Sequence, residues 1–194
     1  VSTALFVPHE PPRSAASDAR DGARHASPAP RPGAHPHPIG RVAGAADAPA
    51  TLVVYGTYEC LDCRRRWPAL RALAEAGRAR VEWRHYAPPG AFPNAGRAAA
   101  AAEAAGEQGA FWAMHEALMA APAPLWPETL TGVAAALGLD TEQFARDLRG
   151  SAVRARLDAQ EAVARDDAVR GTPTLFLERD GARDRVSEDQ LLAL

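Results

Sequence analysis

The hydrophobic pattern of this chain changes period several times, and the changes predict an order of elements. Residues 51–56, TLVVYG, form a short apolar run with β-branched members after the turn-like ADAPA, which predicts a buried strand. From about Cys60 the period becomes helical, with Trp67, Leu70, Leu73 and Ala74 on one face and Gly77 as a stop, so a helix is expected to about Ala76. ARVEWRHYA, residues 79–87, then alternates Val81, Trp83 and His85 against charged or polar neighbours, which predicts a second strand. Strand, helix, strand at this spacing is a βαβ unit, whose crossover is right-handed in nearly every known case.

PPGAFPNAG breaks the pattern, after which most of residues 97–168 reads as helix, in segments at about 97–105, 107–120, 127–137, 141–149 and 151–168. Pro127 suits a first helical position, and Asp140 with Gln143 resembles a capping box. TPTLFLE, residues 172–178, predicts a strand, RDGAR a hairpin turn and RDRVS its partner, with a last helix starting at Ser187 and capped through Gln190. The expected fold is α/β: βαβ, an inserted helical block at about 95–168, then ββα. Residues 8–38 carry almost no large apolar side chain and are crowded with proline, alanine, histidine and arginine. Such a segment cannot offset its ordering entropy, so residues 1–38 are expected to be a disordered tail and residues 39–194 the folded domain.

At 47% hydrophobic and 24% charged residues, the chain can bury a core of ordinary size. Lysine is absent, which excludes a Walker-type phosphate lysine, a Schiff base and a pyridoxal anchor. The net charge is −2 with acids and arginines interspersed, so no basic face for nucleic acid is expected. No apolar run approaches the ~20 residues of a membrane span. The opening VSTALFVPHE lacks a basic n-region and a sufficient h-region for a secretion signal, which by itself points to the cytoplasm. Val1 is equally compatible with a leader removed ahead of it, and that would make the protein periplasmic or otherwise extracytoplasmic.

The chemistry concentrates in YECLDCRRRWP. Cys60 and Cys63 are the only cysteines, at i and i+3 where a strand hands over to a helix. That spacing brings two sulfurs to one side of the first turn, close enough to bridge. The free amides and dipole there favour a thiolate, so Cys60 is expected to be the nucleophile and Cys63, a turn deeper, the resolving thiol. Arg64 adds positive potential near Cys60, while Glu59 and Asp62 act in the opposite sense. Other readings are weaker. A zinc site needs further ligands, and only His85 and His115 lie within the folded part. A papain-like nucleophile leaves the second cysteine unexplained. A structural bridge over three residues constrains little. The tail histidines His9, His25, His35 and His37 show no closed ligand spacing.

YECLDC after a strand, together with VRGTPTLFL much later, FWAMHEALM in mid-chain and LGLDTEQF, resembles the DsbA-like branch of the thioredoxin-fold thiol:disulfide oxidoreductases over residues 39–194. The resemblance implies Cys60 as nucleophile, Cys63 as resolving cysteine and Pro173 as a cis-proline beside them. The Thr172 backbone would then be free to pair with an extended substrate. Pro68 matches the proline inside the active-site helix of many thioredoxins. The sequence departs from the family where many relatives carry acids, at Val54 and Thr57, so Cys63 lacks the usual buried proton acceptor and Glu59 or water is left to serve. Leu61 and Asp62 are an unusual inner pair, expected to tune the redox potential.

Trp67 and Tyr58 flank the motif and are candidates for an apolar peptide-binding rim, with Thr172 and Pro173. Trp112, Met114, His115 and Leu118 have the spacing of a core face, and His85 reads as a packed residue. The expected activity is disulfide exchange with protein or peptide thiols, needing no metal or organic cofactor and only a recycling redox partner. The direction is open. A rival reading is a peptide-binding module or redox sensor with weak catalysis.

Overall fold

The computed structural model describes residues 39–187 and 190–191. The tail expected over 1–38 and most of the last helix lie outside the described residues. Five strands, β1 (Arg41–Ala43), β2 (Thr51–Gly56), β3 (Arg80–His85), β4 (Thr174–Arg179) and β5 (Ala182–Arg185), form one sheet in the order β1-β3-β2-β4-β5. β2 and β3 are parallel, joined by helix α1 (Leu61–Glu75), and every other pairing is antiparallel. β2 reads as a continuous apolar run because both of its faces are covered. Leu52 and Val54 enter the main core with Trp67 and Leu70 of α1, whereas Val53 and Tyr55 pack on the other face with Val163, Ala164 and Val169.

β1 has no counterpart among the sequence expectations. At three residues it is too short to show a period, and its register with β3, Arg41 opposite Trp83, is a tertiary fact. Between β3 and β4 run α2 (Ala95–Glu107), α3 (Phe111–Ala120), α4 (Pro127–Ala136), α5 (Thr141–Asp147) and α6 (Ser151–Asp166). α3 starts four residues later than the pattern suggested, because Gly109 takes a left-handed conformation (φ +74°) between it and α2. The capping box at α5 is half as expected. Asp140 accepts from the amides of Glu142 and Gln143, but the side chain that returns to the Asp140 amide is Gln108, not Gln143. At the end of the chain Ser187 and Gln190 do cap reciprocally.

One buried carboxylate ties these parts together. Glu103 of α2 is fully buried and meets Arg41 of β1 at 2.8 Å, Arg156 of α6 at 3.2 Å, Gln160 of α6 at 3.3 Å and His85 of β3 at 3.5 Å. Trp83 donates its indole N–H to His85 Nδ1 at 3.2 Å, which leaves Nε2 as the protonated nitrogen facing Glu103. Burial alone would raise the Glu103 carboxyl, but His85 and then Arg41 hold it down at about 2. Its folded value therefore lies below its unfolded one of 4.5, so its contribution is complete above pH 4.5 and is lost as pH falls toward 2. Glu103→Gln should cost about 2 kcal/mol at pH 7, because it leaves the half-buried Arg41 and Arg156 without their counter-charge. Urea melts at pH 7 and pH 3 check this: the gap between variant and parent should narrow at the lower pH.

Candidate active site

The sheet delivers the two cysteines through a short turn. β2 ends at Gly56, where a Cβ would stand 2.3 Å from the Trp83 ring, so only glycine lets that indole lie beneath the loop. Thr57, Tyr58 and Glu59 follow, and Cys60 is the N-cap of α1 with extended backbone (φ −80°, ψ 117°). Its sulfur takes the place of a capping oxygen, accepting from the Cys63 amide at 3.4 Å. Both cysteines are free thiols. Cys60 is 5% exposed and Cys63 1%, so only the first is within reach of another molecule.

The second half of the site comes from far along the chain. The peptide between Thr172 and Pro173 is cis, just ahead of β4, and the Thr172 carbonyl lies 3.3 Å from the Cys60 sulfur, where it accepts a hydrogen bond only from the protonated form. A hydrogen bond from the Cys63 thiol is the largest influence on Cys60. Burial opposes it, while the Thr172 hydroxyl and the amides of Cys63 and Asp62 add to it, and Cys60 is lowered from 9.0 to about 5. Cys63 moves the other way, raised far above its ordinary value by holding its proton toward Cys60 and by burial. One sulfur is a thiolate at neutral pH and its neighbour a thiol.

The flanking side chains bond away from the sulfurs, although the charge of Arg64 still acts on Cys60. The Glu59 carboxylate faces the helical block, accepting from the Asn94 amide at 3.1 Å, the Asn94 side chain at 3.2 Å and the Leu125 amide at 3.1 Å. Arg64 donates from Nε to the Tyr58 carbonyl at 2.5 Å and from Nη1 to the Ala121 carbonyl. Together they grip both ends of the loop between α3 and α4. Asp62 is exposed and meets only Arg65, at 3.4 Å. Val54, at one of the two positions where the family often carries an acid, is fully buried between Trp83 and Leu175, and the Thr57 hydroxyl is buried without a hydrogen-bond partner.

The expected rim is a correction. Tyr58 is fully buried and Trp67 is 3% exposed, so neither offers a surface. Both belong to an aromatic cluster around His115: Tyr58 bonds His115 Nδ1 at 3.0 Å, and Trp67 stacks on Trp112 with centroids 5.7 Å apart. Trp67 also reaches Glu116 through its indole N–H, at 2.9 Å. Trp112, Met114, His115 and Leu118 are core. Among the described residues, the large hydrophobic side chains that are exposed are Leu61, at 59%, and Trp126, at 55%. Leu61 lies between the cysteines. Trp126 follows Leu125, the residue held by Glu59, and so stands in the gripped loop. Sequence reading missed Trp126 because nothing local says that this loop returns to the cysteines.

Set against known proteins, residues 69–193 match the profile of the DSBA-like thioredoxin domain. The chain belongs to that family. A thioredoxin-like oxidoreductase from Silicibacter pomeroyi is 31% identical, with a TM-score of 0.69 over 81% of this chain and 90% of that one. The catalytic domain of Proteus mirabilis ScsC (21% identity, TM-score 0.66, 83% and 89% covered) shares the fold. So does BdbD from Bacillus subtilis (19%, 0.67, 80% and 89%). Among curated sequences the chain is similar to the Na(+)/H(+) antiporter NhaA 1 of Salinispora arenicola, 43% identical over 139 residues. That match takes in 70% of this chain and 21% of the antiporter. It is also similar to NhaA 1 of Mycolicibacterium gilvum, 41% identical over 150 residues, 74% of this chain and 24% of the relative. The chain thus spans about a fifth to a quarter of the curated relatives it matches. The DsbA-like family is one of thiol:disulfide oxidoreductases. No described helix is long and apolar enough to cross a membrane, and the described residues hold no group of three or more histidine, cysteine or acidic side chains fit for a metal ion.

Since the thiolate is the reactive form, alkylation of the reduced protein by iodoacetamide should titrate at Cys60 with a midpoint near pH 5. Mass spectrometry at graded pH should find Cys63 unmodified over the same range.

Proposed function

We propose that the Cys60/Cys63 pair works as an oxidant of protein thiols. The supporting observation is the asymmetry of the two sulfurs: Cys60 is stabilised as a thiolate by Cys63 and Thr172, while Cys63 is buried beside no free carboxylate. Stabilising the reduced thiolate weakens the disulfide and raises its potential. In this reading a substrate thiolate attacks the Cys60 sulfur of the disulfide. The S–S bond breaks, and Cys63 leaves with the electron pair and takes up a proton. A second substrate thiolate then attacks the substrate sulfur of the mixed disulfide, expelling Cys60 as thiolate. Two electrons pass from the substrate to the pair, and a recycling partner must remove them. No cofactor enters either step.

The reverse reaction, in which Cys63 resolves a mixed disulfide, requires deprotonating a buried thiol without the acid that Val54 replaces, so it should be slow. Such an oxidant has a use only where thiols are not held reduced, which supports an extracytoplasmic working place. The likeness to segments of Na(+)/H(+) antiporter chains supports a place near a membrane. In the same reading Thr172 and Pro173 present backbone to the substrate, Leu61 and Trp126 offer it apolar contact, and residues 39–194 act as one domain bound together through Glu103.

Equilibration with a glutathione buffer tests the direction. A potential near about −120 mV is expected, and one near about −270 mV would overturn the assignment. Cys60→Ser should abolish exchange. Cys63→Ser should leave the attacking thiolate in place and accumulate a mixed disulfide, visible on a non-reducing gel.

A further inference from the structure

We propose that the cavity at the ends of β2 and β3, lined by Thr57 and by Arg170 two residues before Thr172, is a substrate subsite, which accepts an apolar side chain together with a carboxylate two or three residues from the reacting cysteine and uses Arg170 as the carboxylate's partner. The inference rests on the oxidoreductase reading and adds a sequence preference to it.

The cavity, of about 620 Å³, opens where the parallel strands β2 and β3 end, at Gly56 and His85. In open α/β sheets the crevice outside the carboxyl ends of the strands is where ligands bind. Its position ties it to the reaction. Thr57, three residues before Cys60, lines one side, and its backbone amide also bonds the Cys63 sulfur. Arg170, two residues before Thr172, lines another. With the Thr172 carbonyl 3.3 Å from the Cys60 sulfur, chain length puts the Arg170 Cα within about 13 Å of that sulfur. An extended substrate advances about 3.3 Å per residue, so a side chain two or three residues from its cysteine reaches this wall.

The walls are of two kinds. Tyr86, Phe92 and Leu157 are half-buried around the cavity and give it an apolar body. At the rim Arg165 is held by Glu161 at 2.9 Å, and the two charges cancel. Arg170 is exposed and makes only a 3.4 Å contact with the neighbouring Val169 carbonyl, so the rim keeps one positive charge for a guest. A carboxylate is the complement. The occupant that continuity and charge favour is therefore the segment of the cysteine-bearing substrate itself.

The test uses the oxidised full chain and peptides with one leucine beside a cysteine and either glutamate or arginine three residues away, on each side in turn. The glutamate peptide should be oxidised about five-fold faster at low salt, the ratio shrinking as salt rises. Arg170→Glu should invert the ratio, while Arg154→Glu, which makes the same change of net charge away from this cavity, should leave it as it was. Equal rates for the two peptides, or a preference that Arg170→Glu does not move, would overturn the subsite and leave the oxidoreductase reading standing. Failure to oxidise any of the peptides would overturn both. A preference that fades as protein concentration rises would assign the cavity to a second copy of the chain, and that also overturns the substrate assignment.

Discussion

A sulfur stands where a helix needs an oxygen. The first turn of α1 has amides with no partner inside the helix, and Cys60 occupies the cap to receive them. Serine or aspartate would satisfy the same amides and be chemically inert. Placing a thiol there makes the helix pull it toward the anion, and the neighbouring Cys63 thiol pulls further. The rest of the structure holds that cap in place. β2 and β3 fix the level of the turn, Gly56 lets the Trp83 ring support it from below, and the strand that begins after Pro173 brings a carbonyl to its open side.

The division between the cysteines follows from one difference in depth. Cys60 and Cys63 have the same side chain and lie three residues apart in one core cluster, yet Cys60 keeps 5% of its surface exposed and Cys63 only 1%. A proton shared between them sits on the buried partner, where a charge would cost most. The strand ahead of the motif places the fully buried Val54 on the same core side and no carboxylate there. The asymmetry of the two sulfurs is what the proposed oxidant reading rests on.

Much of this was legible in the sequence because it is written in short-range signals. The apolar run at 51–56, the helical period from Cys60, and the GTPT ahead of a strand are all local patterns, and they located the βαβ unit, both cysteines and Pro173. What escaped depends on residues distant in sequence. β1 exists only because β3 offers an edge to Arg41–Ala43. Glu103 lies in a run of alanines, four residues on from the buried Ala99. A charge on that face needed partners, but nothing local named Arg41 and Arg156. Tyr58 and Trp67 looked like rim residues because they flank the motif. They turn inward, since the loop and helix that carry them present those positions to the core.

The grip of Glu59 and Arg64 on the loop between α3 and α4 carries a further consequence. These residues border the C-x-x-C motif, but their bonds reach about sixty positions ahead, to Ala121 and Leu125. Divergence at either position is therefore constrained by a loop that a local comparison of motifs would never align with it. In a lineage of such proteins, the motif's immediate flanks and this remote loop would be inherited as a matched set.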